Sequence, residues 1–122
     1  MGNMLLQEKI DSLYSLADRF LHIGDQNGYV YADDLSLLNK SIHNLINELV
    51  FQQGKNVEQE AALCLALLMG YSVSMYANLD DEFKKQSVLK RSRKILPTLP
   101  PSSVKEQLLI FCTELNNSFE IN

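Results

Sequence analysis

The sequence predicts an all-α domain: a compact five-helix orthogonal or bundle-like unit around a central apolar third helix. Three observations carry that prediction. Apolar residues recur at steps of three, four and seven in successive segments, the pattern of helices that bury one stripe. The segment 60–71 is apolar on nearly every side, which suits a helix enclosed by others. No run has the alternation and length of a strand, since Tyr29-Val30-Tyr31 alternates but is too short to found a sheet.

Each element has its own justification. In the first helix Leu6, Ile10, Leu13, Ala17, Phe20 and Leu21 form the stripe, and Glu8, Asp11, Ser12, Asp18 and Arg19 take the other face. Gly24, Asn27 and Gly28 stop it, with His22 placed to favour the negative end of the helix dipole. Asp33 or Asp34 caps a second helix, whose stripe of Leu35, Leu38, Ile42, Leu45, Ile46 and Leu49 breaks at Gly54. Asn56-Val57-Glu58-Gln59 reads as a capping-box variant opening the third helix. Within that helix Gly70 costs about 1 kcal/mol relative to Ala, so its presence implies close backbone approach by a neighbour. The fourth helix runs from Asp80, Asp81 and Glu82 to Leu96, with Lys90, Arg91, Arg93 and Lys94 near its end, a polarity that complements the macrodipole. Pro97, Pro100 and Pro101 end it, and Ser103-Val104-Lys105-Glu106 reads as a capping box for a fifth helix with Val104, Leu108, Phe111 and Leu115 as its stripe. One domain is expected over residues 1–122, with its core between about 5 and 115 and a frayed tail at 116–122.

Composition narrows the function. At 122 residues, 46% hydrophobic and 21% charged, the chain has ordinary globular make-up. A net charge of −4 disfavours wholesale binding to nucleic acid or anionic lipid. No apolar stretch approaches the ~18 residues a bilayer requires, and the N-terminus lacks the order of a signal peptide. A soluble, cytoplasmic protein without a membrane partner is expected. Cys64 and Cys112 sit inside apolar helical runs with no CxxC spacing, as buried, reduced thiols do.

Catalysis finds little footing. His22 and His43 lie on polar faces with no His or Cys at metal-ligand spacing. The carboxylates Asp33-Asp34 and Asp80-Asp81-Glu82 stand where helix starts favour negative charge. No GxxxxGK[ST], GxGxxG, GxSxG or HExxH occurs. No catalytic, cofactor-binding or metal residue is therefore nominated, and a binding protein is the better reading than an enzyme.

Charge distribution is more informative. Residues 1–83 carry four basic and twelve acidic side chains, a net −8, while residues 84–122 carry seven basic and three acidic, a net +4. On a wheel of the fourth helix Val88, Leu89, Ser92, Ile95 and Leu96 share one face. Lys90, Arg91 and Lys94 take the opposite one, with Phe83 along the row of Lys90 and Lys94. The plain reading is a solvated face with Phe83 packed on Leu79. The functional reading is a docking surface with an aromatic anchor beside cations. A nucleic-acid-binding regulator using this helix is the alternative. Tyr29 and Tyr31 are either core lids or amphipathic contacts at a partner surface.

Three strings carry a resemblance: Tyr31-Ala32-Asp33-Asp34-Leu35-Ser36-Leu37-Leu38-Asn39, then EAALCLALLMGY from Glu60 to Tyr71, then Gln86 to Cys112, where QSVLKRS, LPTLPPS and KEQLLIFC keep order and spacing. With Leu16 to Gly24 they make the chain resemble the UpxZ family of antagonists of transcription antitermination, encoded beside capsular polysaccharide loci. Two departures stand out: the segment after Cys112 is short and different, and Arg93-Lys94 makes the fourth helix more basic than the family pattern. The resemblance implies a non-catalytic regulator that opposes NusG-like, UpxY-type antitermination factors of other loci by protein–protein binding. Capture of the factor, or competition on RNA polymerase, restores premature termination. A selectivity of ~3 kcal/mol between factors gives over a hundredfold discrimination. Exposure and side-chain chemistry, not the resemblance, nominate Tyr31, Phe83, Arg91 and Lys94 as partner-binding residues. Charge reversal at Arg91 with Lys94 is then expected to reduce antagonism while sparing the fold. Neither a cofactor nor a particular oligomeric state is implied.

Overall fold

The computed structural model describes residues 5–22, 32–73 and 79–119, with the side chains at 21, 32–36, 79–81 and 114–119 excepted. Five helices make up the described chain: α1 (Leu6–Leu21), α2 (Ala32–Leu49), α3 (Val57–Val73), α4 (Leu79–Ile95) and α5 (Ser103–Phe119). A 3₁₀ turn, Leu96–Thr98, joins α4 to α5, and no strand occurs among the described residues.

Helix starts and stops follow local chemistry. Leu5 N–H donates to Glu8 Oε1 at 2.9 Å, so the first-turn acid satisfies an N–H that has no intrahelical partner. Asn56 caps α3, its Oδ1 accepting from Gln59 N–H at 2.8 Å. The Gln59 side chain reaches back, as a capping box requires, but to Lys55 N–H at 2.8 Å, one residue before the cap. At α5 the cap is Ser102 rather than Ser103: its Oγ accepts from Lys105 N–H at 3.1 Å. The third helical residue is then Lys105, which cannot close a capping box; its Nζ donates instead to Leu99 O at 2.9 Å. Ser103 Oγ accepts from Gln107 Nε2 one turn on. α4 ends at Ile95, where Pro97 imposes the 3₁₀ turn, and Thr98 Oγ1 donates to Ile95 O at 2.7 Å. α5 extends to Phe119.

The core is built around α3, which packs against each of the other four helices. From Leu63 to Tyr71 every residue of it is buried. Ile10, Leu13 and Ala17 of α1 meet it, as do Ile42, Ile46 and Leu49 of α2, Val88 and Leu89 of α4, and Leu108 and Cys112 of α5. Gly70 is where neighbours come closest. A Cβ there would lie 2.8 Å from Ile46 Cδ1 and 3.3 Å from Leu13 Cδ1, so the glycine admits both α1 and α2. Ser92, buried on the inner face of α4, satisfies its hydroxyl by donating to Val88 O at 2.8 Å.

Candidate partner-binding surface

Several charged side chains of α4 fall along two rows. At 3.6 residues per turn, Lys84, Val88 and Arg91 follow one row, while Phe83, Ser87, Lys90 and Lys94 follow the next, with Gln86 and Arg93 along its far edge. The first leans on the connection between α2 and α3; the second faces outward.

On the inner row Arg91 is wholly committed. Its Nε donates to Glu60 Oε2 at 2.8 Å, Nη2 to Glu60 Oε1 at 3.0 Å and to Gln52 O at 2.7 Å, and Nη1 to Val50 O at 2.9 Å. Glu60 Oε1 also accepts from Gly54 N–H at 2.8 Å, and Cys64 Sγ lies 3.8 Å from Oε2 as a weak donor. The guanidinium thus binds carbonyls just past the end of α2, where cations are favoured, and joins them to the first turns of α3. The two side chains are only 21% and 16% exposed. Burial acts to raise the Glu60 pKa, but the hydrogen bonds from Arg91 and Gly54 and the guanidinium charge hold it below the ordinary 4.5. Burial also acts to lower that of Arg91, and its bonds to Glu60 outweigh this. Both groups are charged at neutral pH.

This placement corrects the expectation for Arg91. The wheel puts it only about 80° from Phe83, close enough to group with Lys90 and Lys94, yet a long guanidinium at that angle reaches the neighbouring connection. It serves the fold. Reversing its charge together with that of Lys94 removes four hydrogen bonds from the interior, so such a variant is not silent in folding.

On the outward row Phe83 is 70% exposed, and its expected partner, the Leu79 side chain, lies outside the described residues. Lys90, Arg93 and Lys94 are exposed, and none forms an ion pair among the described residues. Phe83, Gln86, Ser87, Lys90 and Arg93 border a shallow groove. There Gln86 Nε2 is buried without a hydrogen-bond partner among the described residues. Beside the groove Lys84 Nζ stands 5.7 Å from the centre of the Phe51 ring, a cation–π contact worth roughly 0.5–1 kcal/mol at an exposed site. Phe51 is itself exposed; sequence reasoning did not nominate it because it falls at a helix end outside any stripe. Tyr31, like Tyr29, lies outside the described residues.

Both cysteines are buried. Burial pushes the Cys64 thiol up to about 12 and the Cys112 thiol above its ordinary value. Such thiols are poor nucleophiles. His22 ends α1 with Nε2 3.5 Å from Asp18 Oδ1, and both are exposed. Among the described residues no three His, Cys, Asp or Glu side chains are placed to hold a metal ion, and no helix is long and apolar enough to cross a membrane.

Comparison with known proteins gives this architecture a context. The model of the UpxZ family of transcription anti-terminator antagonists matches residues 10–114. The fold is also similar to the crystal structure of a transcription anti-terminator antagonist UpxZ from Bacteroides uniformis ATCC 8492, with 35% identity and a TM-score of 0.77 over 90% of this chain and 67% of that one. No protein with a curated description matches. Glu60 and Arg91, the two ends of the buried ion pair, both fall inside the matched residues, within the strings EAALCLALLMGY and QSVLKRS. With the family match spanning most of the helical core, the chain belongs to the UpxZ family of transcription anti-terminator antagonists.

Proposed function

We propose that this antagonist acts in the cytoplasm, without catalysis, by capturing a NusG-like antitermination factor that serves another capsular polysaccharide locus. Once held, the factor no longer assists RNA polymerase across its own leader, and transcription terminates early. The observation that carries this reading is the outward row of α4: an exposed aromatic beside three cations that form no ion pair among the described residues. A docking surface has those two elements, an apolar anchor and charges that steer and select. Of the nominated residues Phe83 and Lys94 lie on this row, and Arg91 supports it from behind.

Capture and catalysis differ in stoichiometry. In transcription over a capsule-locus leader with purified polymerase and factor, added protein should restore termination in proportion, with an end point near one protein per factor. Calorimetry at ~0.15 M salt, where surface charge is realistically screened, should show tighter binding to foreign than to cognate factors. Full antagonism at a small fraction of the factor concentration, or no binding to any factor, overturns the reading.

A further inference from the structure

The outward row of α4 has limited length and a direction. Phe83 to Lys94 spans twelve residues, eleven steps and about 16 Å of helix. Phe83 stands at one end, and Lys90, Arg93 and Lys94 fill the other. The chain as a whole is acidic, with a net −8 over residues 1–83 and −4 overall.

From this we infer that the row is the docking site for a short acidic amphipathic segment of the antitermination factor. An apolar side chain of that segment packs on Phe83, and its carboxylates face Lys90, Arg93 and Lys94. The inference rests on the capture reading above and adds the chemistry of what is captured. Three observations favour this occupant. Among the described residues the cations have no internal carboxylate to release, so a partner's acids meet them without competition from these. A short segment needs only the positive strip, whereas RNA or DNA carries many further negative charges against a chain of net charge −4. An exposed phenylalanine suits an apolar side chain better than a row of phosphates.

The test uses the full chain and a purified NusG-like factor from a foreign locus, titrated by calorimetry at ~0.05 and ~0.2 M salt, either side of physiological screening. Two variants report on the two ends: Lys90→Gln with Arg93→Gln and Lys94→Gln, and Phe83→Ala alone. The neutralised variant should bind about tenfold or more weakly and lose most of the salt dependence. Phe83→Ala should bind about tenfold more weakly with the salt dependence intact, as loss of an apolar anchor requires. Both should melt close to the unaltered protein, because these side chains make no internal ion pair or hydrogen bond among the described residues. Unaltered affinity in both variants overturns the assignment of the row and leaves the capture reading standing. If the unaltered protein binds no such factor, the capture reading fails first and the row's assignment falls with it. Labelled leader RNA bound by the unaltered protein alone, and released by neutralisation, gives the row to nucleic acid and also overturns the proposal. So does a dimer of the unaltered protein in sedimentation that neutralisation dissolves.

Discussion

Replacing Arg91 by Met puts the buried ion pair to a quantitative test. The substitution keeps an unbranched side chain of good helix propensity, so α4 itself loses little. It removes the four hydrogen bonds to Glu60, Val50 and Gln52 and leaves the Glu60 carboxylate with Gly54 N–H as its one remaining backbone donor. Breaking a fully buried pair costs roughly 3–5 kcal/mol. Here the side chains keep 21% and 16% of their exposure, and water relieves part of the penalty, so about 2–4 kcal/mol is expected. For a domain of this size that lowers the melting temperature by roughly 6–16 °C. The assay is urea unfolding followed by circular dichroism, completed as a cycle with Glu60→Gln and the double variant. Because each partner alone strands the other, the double variant should cost clearly less than the sum, with a coupling above about 1 kcal/mol. The pH dependence gives a second reading. Glu60 titrates below its ordinary value of 4.5, so its contribution is present above that value and is lost as pH falls through the lowered pKa. Arg91→Met should flatten that acid limb. A variant as stable as the unaltered protein, with no coupling to Glu60, would refute the argument that Arg91 is committed to the fold.

Two further predictions concern the interior. Gly70→Ala gains about 1 kcal/mol of helix propensity but forces Ile46 and Leu13 aside at a cost of roughly 1–3 kcal/mol, so it should destabilise modestly in chemical denaturation. Made in an Ile46→Val background, which removes the Cδ1 atom 2.8 Å away, the same change should become neutral or stabilising; equal loss in both backgrounds defeats the close-approach explanation. Cys64, its thiol pushed up to about 12, should resist iodoacetamide at pH 8 in native protein and react once urea unfolds the chain. Because the unfolded thiol ionises near 9 and the folded one does not, the protein should also lose stability as pH rises from about 9 towards 12.

Much of the fold is written in period. Ile10, Leu13 and Ala17, or Ile42, Ile46 and Leu49, can share one face only if the segment is helical, and each of them is buried. The central place of α3 follows from its having no polar face to show. Cap positions are less legible: Ser102 and Ser103 are chemically alike, and the proline-bound approach to α5 decides which one accepts from the helix. The surface was hardest to read. Lys90, Arg91 and Lys94 are similar in a wheel, and what separates them is a carboxylate thirty-one positions away in sequence, brought opposite Arg91 by packing. A signal was available in Glu60, which lies one turn before Cys64 and so on a face that is buried from there on. A carboxylate at that position needs a cation from elsewhere in the chain. Phe83 and Lys94 were legible as exposed because nothing in the stripe of Val88, Leu89 and Ser92 calls them inward.

The enclosure of α3 by four helices has a consequence for how the protein is made. Its neighbours come from both sides in sequence: α1 and α2 precede it, α4 and α5 follow. During synthesis α3 leaves the ribosome with only half of its cover available. At about 5–20 residues per second, Arg91 emerges some 2–6 seconds after Glu60, and α5 later still. For those seconds the nascent chain displays the leucines that α4 and α5 will hide, and a carboxylate that has yet to meet its cation. A finished molecule with no apolar helix left uncovered among its described elements therefore begins as one that trigger-type chaperones would recognise, and a ribosome stalled before α4 releases a three-helix fragment prone to aggregate.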